Sequence, residues 1–258
     1  MIFALDVGNT NIVLGVFSDE YKLKYYWRIS TDSSKTEDEL YVIIKNFFID
    51  KNIEFDNFNG VIIASVVPTM IYSLKLLSRK YFKKEPIIVS HEINTGLKVP
   101  KPYSGKLGAD RIVDIVGAKV SNHLPAIIVD FGTATTFDYV DKDMVYRGGI
   151  ICPGINISSE ALYIRASQLP RVEISPASTA LGMDTVSQIQ AGLFYGFIGQ
   201  FENILVNIKK EIGENVNVVL TGGLARLFAT YSKHVDIIDN NLTLKGMIEI
   251  YKMNKEKI

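Results

Sequence analysis

The fold is decided by the stretch Asp6-Val7-Gly8-Asn9-Thr10, which lies between two short apolar runs, residues 2–5 and 12–17. An apolar run on each side of a Gly/Asn turn predicts strand, turn, strand. The pattern recurs at Asp130-Phe131-Gly132-Thr133, again after an apolar run and before the segment 136–140. Each half of the chain therefore opens with a strand that leads into Asp-x-Gly.

The spacing of this repeat indicates a duplication. The two aspartates lie 124 positions apart (130 minus 6), close to half of the 258 residues, which favours duplicated domains over a solenoid. Later strands at 61–64 and 216–220 each run into a tight turn and a helix. We predict an α/β fold of two domains with mixed sheets, residues 1–121 and 122–258.

Local signals place the other elements of the first half. Residues 22–30 are predicted to form a third strand, and Thr36-Glu37-Asp38-Glu39 is a capping box that predicts a helix to about residue 51. Pro68 suits the first turn of another helix, and the apolar periodicity after Gly108 predicts a helix over 108–120.

Composition narrows the function class. The chain is 47% hydrophobic and 22% charged, as in ordinary globular proteins, and its 28 basic and 28 acidic residues give no net field for nucleic acid or an anionic membrane. We therefore expect neither partner. The N-terminus has no signal-peptide pattern, no apolar run approaches ~20 residues, and Cys152 is the single cysteine, so we expect a cytoplasmic protein.

The two Asp-x-Gly turns have the chemistry of a phosphate site. Gly8 and Gly132 lack Cβ atoms, so backbone N–H groups can approach a phosphate closely, and Thr10 and Thr133 add hydroxyl donors. The aspartates would repel phosphate unless a cation lay between, which makes them candidate ligands of Mg²⁺ or another cation. One such turn is more often a plain hairpin, but two copies with Thr221-Gly222-Gly223 at a third strand end favour nucleotide binding.

A further candidate is Gly108-Ala109-Asp110-Arg111, at the start of a predicted helix. In a purely structural interpretation, Asp110 caps the helix and Arg111 is a solvated charge. In a functional interpretation, Asp110 is a general base for a substrate hydroxyl and Arg111 binds an anionic group. The residues alone leave both interpretations open.

Taken in order, the motifs resemble those of type III pantothenate kinase, a bacterial enzyme family of coenzyme A biosynthesis in the acetate and sugar kinase, Hsc70 and actin superfamily. The likeness spans nearly the whole chain. It is carried by Asp6-Val7-Gly8-Asn9-Thr10-Asn11, Ser65-Val66-Val67-Pro68, Gly108-Ala109-Asp110-Arg111, Asp130-Phe131-Gly132-Thr133-Ala134-Thr135-Thr136, Gly148-Gly149, Pro153-Gly154-Ile155 and Thr221-Gly222-Gly223-Leu224.

The resemblance implies two ribonuclease-H-like domains in a homodimer, with Mg²⁺ and ATP in the cleft and pantothenate, the phosphoryl acceptor, near the subunit contact. It implies Asp110 as proton acceptor and Asp130 as ligand of a monovalent cation, K⁺ or NH₄⁺. The ATP-phosphate positions it implies are Asp6, Val7, Gly8, Asn9, Thr10, Asn11, Ile12, Val13 and Thr133. The pantothenate-contacting positions it implies are Tyr103, Gly108, Ala109, Asp110, Arg111 and Thr185.

Two rival functions share parts of this pattern. Another small-molecule kinase of the superfamily would keep both Asp-x-Gly turns but need other acceptor residues than Gly108 to Arg111. A regulatory nucleotide-binding protein would need no acceptor base. The chain also departs from the family at Asp184, where an asparagine is frequent before the threonine.

Overall fold

The computed structural model describes residues 1–101, 105 and 107–257. The chain divides into two compact units, Met1–Asn122 with Asn241–Ile258, and His123–Asn240. Each unit has its own apolar core and its own five-stranded mixed sheet. The predicted two-part α/β fold with mixed sheets is therefore confirmed. Across the described ranges, no helix is both long enough and apolar enough to cross a bilayer.

The first unit is built on strands β1 to β5 in the order β3-β2-β1-β4-β5. β2 runs antiparallel to β1 and β3, whereas β4 runs parallel to β1 and β5. The strands are β1 (Ile2–Val7), β2 (Asn11–Phe17), β3 (Leu23–Ser30), β4 (Gly60–Ser65) and β5 (Ile87–Ile88), and the helices are α1 (Glu37–Ile49), α2 (Ile71–Leu77) and α3 (Ala109–Val120). Short helical turns lie at Phe55–Asn57, Pro68–Met70 and Ser78–Phe82.

The predicted capping box sets the start of α1. The Glu39 amide donates to the Thr36 hydroxyl at 3.4 Å, and the Glu39 carboxylate accepts from the Thr36 amide at 2.9 Å. The helix then buries Leu40, Ile44 and Phe48 in the core of the first unit. Two of the four orphan amides at the helix start are thus satisfied locally, as the sequence predicts.

The second unit repeats the sheet of the first with strands β6 to β10 in the order β10-β9-β6-β7-β8. β7 runs antiparallel to β6 and β8, and β9 runs parallel to β6 and β10. The strands are β6 (Ala126–Phe131), β7 (Ala134–Val140), β8 (Tyr146–Pro153), β9 (Asn217–Gly222) and β10 (Ile237–Ile238), and the helices are α4 (Ile155–Arg165), α5 (Thr185–Ile212) and α6 (Ala225–Tyr231). The identical order and directions confirm the predicted duplication.

The last helix, α7 (Leu242–Asn254), returns to the first unit and is followed by a helical turn at Lys255–Lys257. It crosses α3 at close range, because a Cβ at Gly246 would lie 1.7 Å from the Val113 carbonyl oxygen and one at Gly117 would lie 2.2 Å from that of Leu242. The sequence predicts one domain for residues 122–258, whereas in the structure residues 241–258 pack with the first unit. The glycines on both helices permit this contact.

Candidate active site

The first Asp-x-Gly turn is closed by its own backbone and braced from β3. The Gly8 amide donates to the Asn11 carbonyl oxygen at 3.0 Å. Thr31, which directly follows β3, donates its amide to the Thr10 carbonyl oxygen at 2.9 Å and its hydroxyl to the Gly8 carbonyl oxygen at 2.6 Å. Asp6 lies one residue before the end of β1, so its carboxylate is carried to the edge of a braced turn.

The predicted nucleotide residues 6–13 divide into exposed and buried positions. Val7 and Ile12 point into the core, with exposed fractions of 0% and 1%. Residues 9–11 are exposed, while Asp6, Gly8 and Val13 are half-buried. A ligand at this turn would therefore meet the polar residues 9–11 first.

The second turn repeats this construction after β6. The Gly132 amide donates to the Ala134 carbonyl oxygen at 3.1 Å. Gly154, which directly follows β8, donates its amide to the Thr133 carbonyl oxygen at 3.2 Å. A Cβ at Gly154 would lie 2.3 Å from that oxygen, so the brace requires glycine. Thr133 in the second unit thus holds the position that Thr10 holds in the first.

The carboxylate of Asp130 is enclosed by two glycines. A Cβ at Gly132 would lie 3.1 Å from Oδ2 of Asp130, and one at Gly222 would lie 2.3 Å from Oδ1. Gly222 also has a φ of +90°, a conformation that favours glycine. Because β9 runs beside β6 with Gly222 opposite Phe131, the structure brings together two of the turns that the sequence singled out.

Hydroxyl groups lie on both sides of Asp130 in the sheet. Asp130 is paired with Thr136 on β7 and with Thr221 on β9. Residues paired in this way point to the same face, so two threonines flank the carboxylate. Thr221 is buried, with 2% of its surface exposed. The donor set here consists of oxygen atoms, which suits a hard cation.

Asp110 lies in the first turn of α3, and the cap position belongs to Gly108. The Arg111 amide donates to Oδ1 of Asp110 at 2.8 Å. A Cβ at Gly108 would lie 2.4 Å from the same oxygen, so glycine makes room for the carboxylate, and it would approach Val66 Cγ1 at 3.7 Å. Burial raises the pKa of Asp110 above its ordinary value of 3.8, although the amide and charge of Arg111 oppose this. A carboxyl group with a raised pKa is suited to accept a proton near neutral pH.

The other residues predicted to contact the phosphoryl acceptor differ in exposure and lie in both units. Ala109 is buried, with 9% of its surface exposed, and Arg111 is half-buried. Thr185 is the exposed first residue of α5, in the second unit. Tyr103 lies outside the described residues.

Asp184, the departure from the family pattern, caps α5. Its carboxylate accepts from the Ser187 amide at 3.0 Å and from the Ser187 hydroxyl at 2.9 Å. These hydrogen bonds lower the pKa of Asp184. An aspartate is thus favourable here because it satisfies a free amide at the positive end of a helix.

No three His, Cys, Asp or Glu side chains come together as a metal cluster within the described part of the chain. A divalent ion bound with a nucleotide ordinarily takes most of its ligands from phosphate and water, with one or two carboxylates from the protein. Asp6, at the edge of the first turn, fits that role.

Sequence reasoning missed the brace at Thr31. A signal was present, because the predicted third strand ended at residue 30 and an antiparallel neighbour of β2 must end beside the first turn. The threonines around Asp130 needed the strand register, which fixes Thr136 and Thr221 as its neighbours.

Known proteins are similar to this chain in sequence over most of its length. A family model described as type III pantothenate kinase matches residues 2–207. The type III pantothenate kinase of Bacillus cytotoxicus is 48% identical over 254 residues, which are 98% of this chain and 97% of that protein.

Solved structures resemble the fold at low sequence identity. A protein from Sinorhizobium meliloti described as a 2-dehydro-3-deoxygalactonokinase has a TM-score of 0.64 at 12% identity, covering 98% of this chain and 96% of that one. The activator of the 2-hydroxyisocaproyl-CoA dehydratase from Clostridium difficile, with bound ADPNP, has a TM-score of 0.56 at 13% identity, covering 99% of this chain and 95% of that one. These likenesses support the predicted pair of ribonuclease-H-like domains, and the family match shows that this chain belongs to the type III pantothenate kinase family.

Proposed function

We propose that this chain transfers the γ-phosphoryl group of ATP to the primary hydroxyl of pantothenate, giving 4′-phosphopantothenate and ADP in the first step of coenzyme A biosynthesis. Its family is one of kinases that act on an alcohol, and such kinases use ATP with a divalent metal. The observation that carries the proposal is the 48% identity to a type III pantothenate kinase over 98% of the chain.

The first turn is proposed to hold the nucleotide phosphates. The exposed residues 9–11 offer amide and hydroxyl donors, and the brace from Thr31 fixes the turn before a ligand arrives. Asp6 would hold Mg²⁺ directly or through water, which neutralises phosphate charge. In the second unit, Thr133 is proposed as a further phosphate contact, supported by its equivalence to Thr10.

Asp110 is proposed as the proton acceptor of the pantothenate hydroxyl. Its carboxylate is held by the Arg111 amide, and its raised pKa brings it closer to the working pH. Proposed acceptor contacts are Tyr103, Gly108, Ala109, Arg111 and Thr185. In phosphoryl transfer most of the rate enhancement comes from positioning and charge neutralisation, so Asp110 acts on an already oriented hydroxyl.

Asp130 is proposed to bind an activating monovalent cation, K⁺ or NH₄⁺. The support is its oxygen-rich setting, since Thr136 and Thr221 flank the carboxylate, and the missing side chains of Gly132 and Gly222 make room for the carboxylate itself. When bound, such an ion supplies positive charge near the nucleotide phosphates.

A homodimer is proposed from apolar surface on the second unit. Ile164 on α4 is 62% exposed, and Leu181 and Met183 are 83% and 94% exposed. Large apolar side chains that are this exposed in one subunit are commonly buried where subunits meet. Light scattering should give twice the mass of the chain, and a monomer at micromolar concentration would refute the dimer.

A cytoplasmic location is also proposed from the single cysteine, and cell fractionation tests it.

The direct test of the function is a product assay. Purified protein is incubated with Mg-ATP, K⁺ or NH₄⁺, and pantothenate, and the mixture is analysed by mass spectrometry. We expect phosphorylated pantothenate with a matching amount of ADP. ATP hydrolysis without acceptor dependence would instead favour a regulatory nucleotide-binding protein. Phosphorylation of another acceptor alone would favour a different kinase of the superfamily.

The substitution Asp110→Asn tests the proton acceptor. We expect kcat to fall by roughly 10²–10⁴ while nucleotide affinity stays nearly unchanged. In the unsubstituted enzyme, kcat/KM should fall as the pH drops through the raised pKa of Asp110, and the residual activity of the variant should lack this dependence. Turnover equal to that of the original protein would rule out the role.

Asp114→Asn is the matched control for this experiment. Asp114 lies one turn later on α3, is buried, and accepts a hydrogen bond from the Thr243 hydroxyl at 2.6 Å. Its substitution should lower the melting temperature, but kcat/KM should still fall at low pH as it does in the original protein. Asp110→Asn should keep its stability at neutral pH, because a raised folded pKa means that the ionised carboxyl disfavours folding there.

A further inference from the structure

Asn254, the last residue of α7, is a fully satisfied buried amide. Its side chain is 3% exposed. Oδ1 accepts from the Asn94 amide at 3.1 Å, while Nδ2 donates to the Asn94 carbonyl oxygen at 2.7 Å and to the Ile250 carbonyl oxygen at 2.8 Å. The side chain thus pairs with the Asn94 peptide as a second peptide group would, and only a primary amide supplies both a donor and an acceptor there.

The segment that Asn254 holds is a compact turn after β5. The Asn94 side chain accepts from the Gly96 amide at 3.2 Å, and the Thr95 hydroxyl accepts from the Leu97 amide at 3.3 Å. Gly96 has a φ of +69°. These local bonds give the turn its shape, but the pair of hydrogen bonds to Asn254 attaches it to the C-terminal helix.

This turn forms one wall of a cavity beside the start of α3. The cavity has a volume of about 380 Å³ and is lined by Thr95, Gly96 and Lys98 from the turn and by Leu107 and Ile112 from the chain on either side of Gly108 to Arg111. The wall that Asn254 fixes therefore lines the same cavity as the two residues that flank the segment with Asp110. A shift of the turn changes the space next to that segment.

We propose that Asn254 is a positioning residue for the phosphoryl acceptor. By holding the Asn94 peptide it keeps the wall of this cavity in place and thereby sets the affinity for the acceptor, without taking part in the reaction. The inference rests on the proposed function only in that Asp110 lies in the acceptor site. Asn254 lies on α7, which follows the residues 2–207 that the family model matches.

The test uses Asn254→Asp and Asn254→Leu in the full chain. The aspartate keeps the acceptor atom and loses both donations, and the leucine loses all three hydrogen bonds. We expect the KM for pantothenate to rise about five- to tenfold, because a lost buried hydrogen bond ordinarily changes an equilibrium by up to about this factor. The kcat should stay within about twofold and the KM for ATP should not change.

Tyr251→Leu is the matched control. Tyr251 lies on the same helix and is buried, and it packs against Gly60, where a Cβ would lie 2.2 Å from its hydroxyl. This variant should lower the melting temperature at least as much as Asn254→Asp does but leave the KM for pantothenate unchanged. A rise in that KM equal to the Asn254 effect would mean that general loosening of α7 is the cause.

Hydrogen exchange separates this inference from the proposed function. In both Asn254 variants, the peptide containing residues 93–98 should exchange faster, whereas the Tyr251 variant should leave it protected. Unchanged exchange in this peptide, or an unchanged KM for pantothenate in both Asn254 variants, overturns the proposal. If the original protein does not phosphorylate pantothenate, the function fails, and the exchange experiment still decides whether Asn254 holds the turn.

Discussion

Two turns of this molecule, one after β1 and the other after β6, share a backbone plan and differ in the side chains around the aspartate. In both, the glycine amide closes the turn, and the residue after the third strand of the sheet donates its amide to a threonine carbonyl oxygen, Thr10 or Thr133. This agreement extends the duplication from strand order to individual hydrogen bonds.

The differences lie around the carboxylates. Asp6 is paired with Val13 and Ala64, whereas Asp130 is paired with two threonines. Ser65 lies opposite Val7 in the first unit, and its counterpart in the second unit is Gly222, opposite Phe131. The two copies thus keep the backbone of the turn, while residues on the neighbouring strands change the chemistry around the aspartate. Within the sheet, threonines pair with the aspartate of the second copy, and a valine and an alanine pair with that of the first.

Gly222→Ala is expected to have the largest effect among the tests of this comparison. The new Cβ would have to avoid Oδ1 of Asp130 at 2.3 Å and would be strained at a φ of +90°. Backbone strain of this kind costs on the order of 1–3 kcal/mol. We expect kcat/KM to fall by about 10²-fold because the carboxylate must move.

The counterpart substitution in the first unit is Ser65→Ala. The Ser65 hydroxyl accepts from the Val67 amide at 3.1 Å, and its loss should cost only about 1 kcal/mol in the free energy of unfolding. Urea unfolding and steady-state kinetics on both variants check the pair. Equal losses of activity at the two positions would break the distinction between the turns.

Thr221→Val removes one hydroxyl beside Asp130 with little change in the shape of the side chain. We expect the concentration of K⁺ at half-maximal activation to rise about tenfold, as for the loss of a group that supports a metal site. Val13→Thr, which adds a hydroxyl beside Asp6, should leave this concentration unchanged. A response to Val13→Thr that matches the response to Thr221→Val would contradict the assignment of the cation to the second turn.

The smallest expected effect concerns the helix caps of the two units. Thr36 caps α1 and Asp184 caps α5, and each cap side chain accepts a hydrogen bond from the amide of the third residue of its helix. The pKa of Asp184 is lowered in the folded state, so its contribution to stability is present above the unfolded pKa of ~3.9 and is lost as the pH falls below it.

Asp184→Asn should remove this part of the pH dependence, because asparagine caps a helix equally well without titrating. We expect the melting temperatures of the variant and the original protein to agree closely at pH 7, and that of the original protein to fall below that of the variant in acid, where Asp184 becomes protonated. The KM for pantothenate should change less than about twofold. A much larger fall in KM would indicate that the Asp184 charge opposes binding of the anionic acceptor.

Much of the fold could be predicted because its signals are local. The apolar runs around Asp6 and Asp130 give the hairpins, and Thr36 with Glu39 gives the start of α1. The return of α7 to the first unit could not be predicted, since it depends on the contact between Gly246 and the Val113 carbonyl across a long sequence separation.

The site was predictable in part for the same reason. Asp110 and Gly108 are close in sequence, so their motif could be recognised from the sequence alone. The raised pKa of Asp110 depends on burial in the folded chain. Asn254 gave no signal, because its partner Asn94 is 160 residues away. Residues that act through tertiary contacts have no fixed spacing in the sequence.

If the two turns have different roles, substitution of their aspartates should affect the K⁺ response and the Mg-ATP requirement separately. The rate of phosphopantothenate formation is measured against K⁺ concentration for the original protein, Asp6→Asn and Asp130→Asn, at saturating pantothenate and several Mg-ATP concentrations. We predict that Asp130→Asn loses the response to K⁺, and that Asp6→Asn keeps it but requires more Mg-ATP. Loss of the K⁺ response in Asp6→Asn with its retention in Asp130→Asn, or the same response in both, would contradict the account.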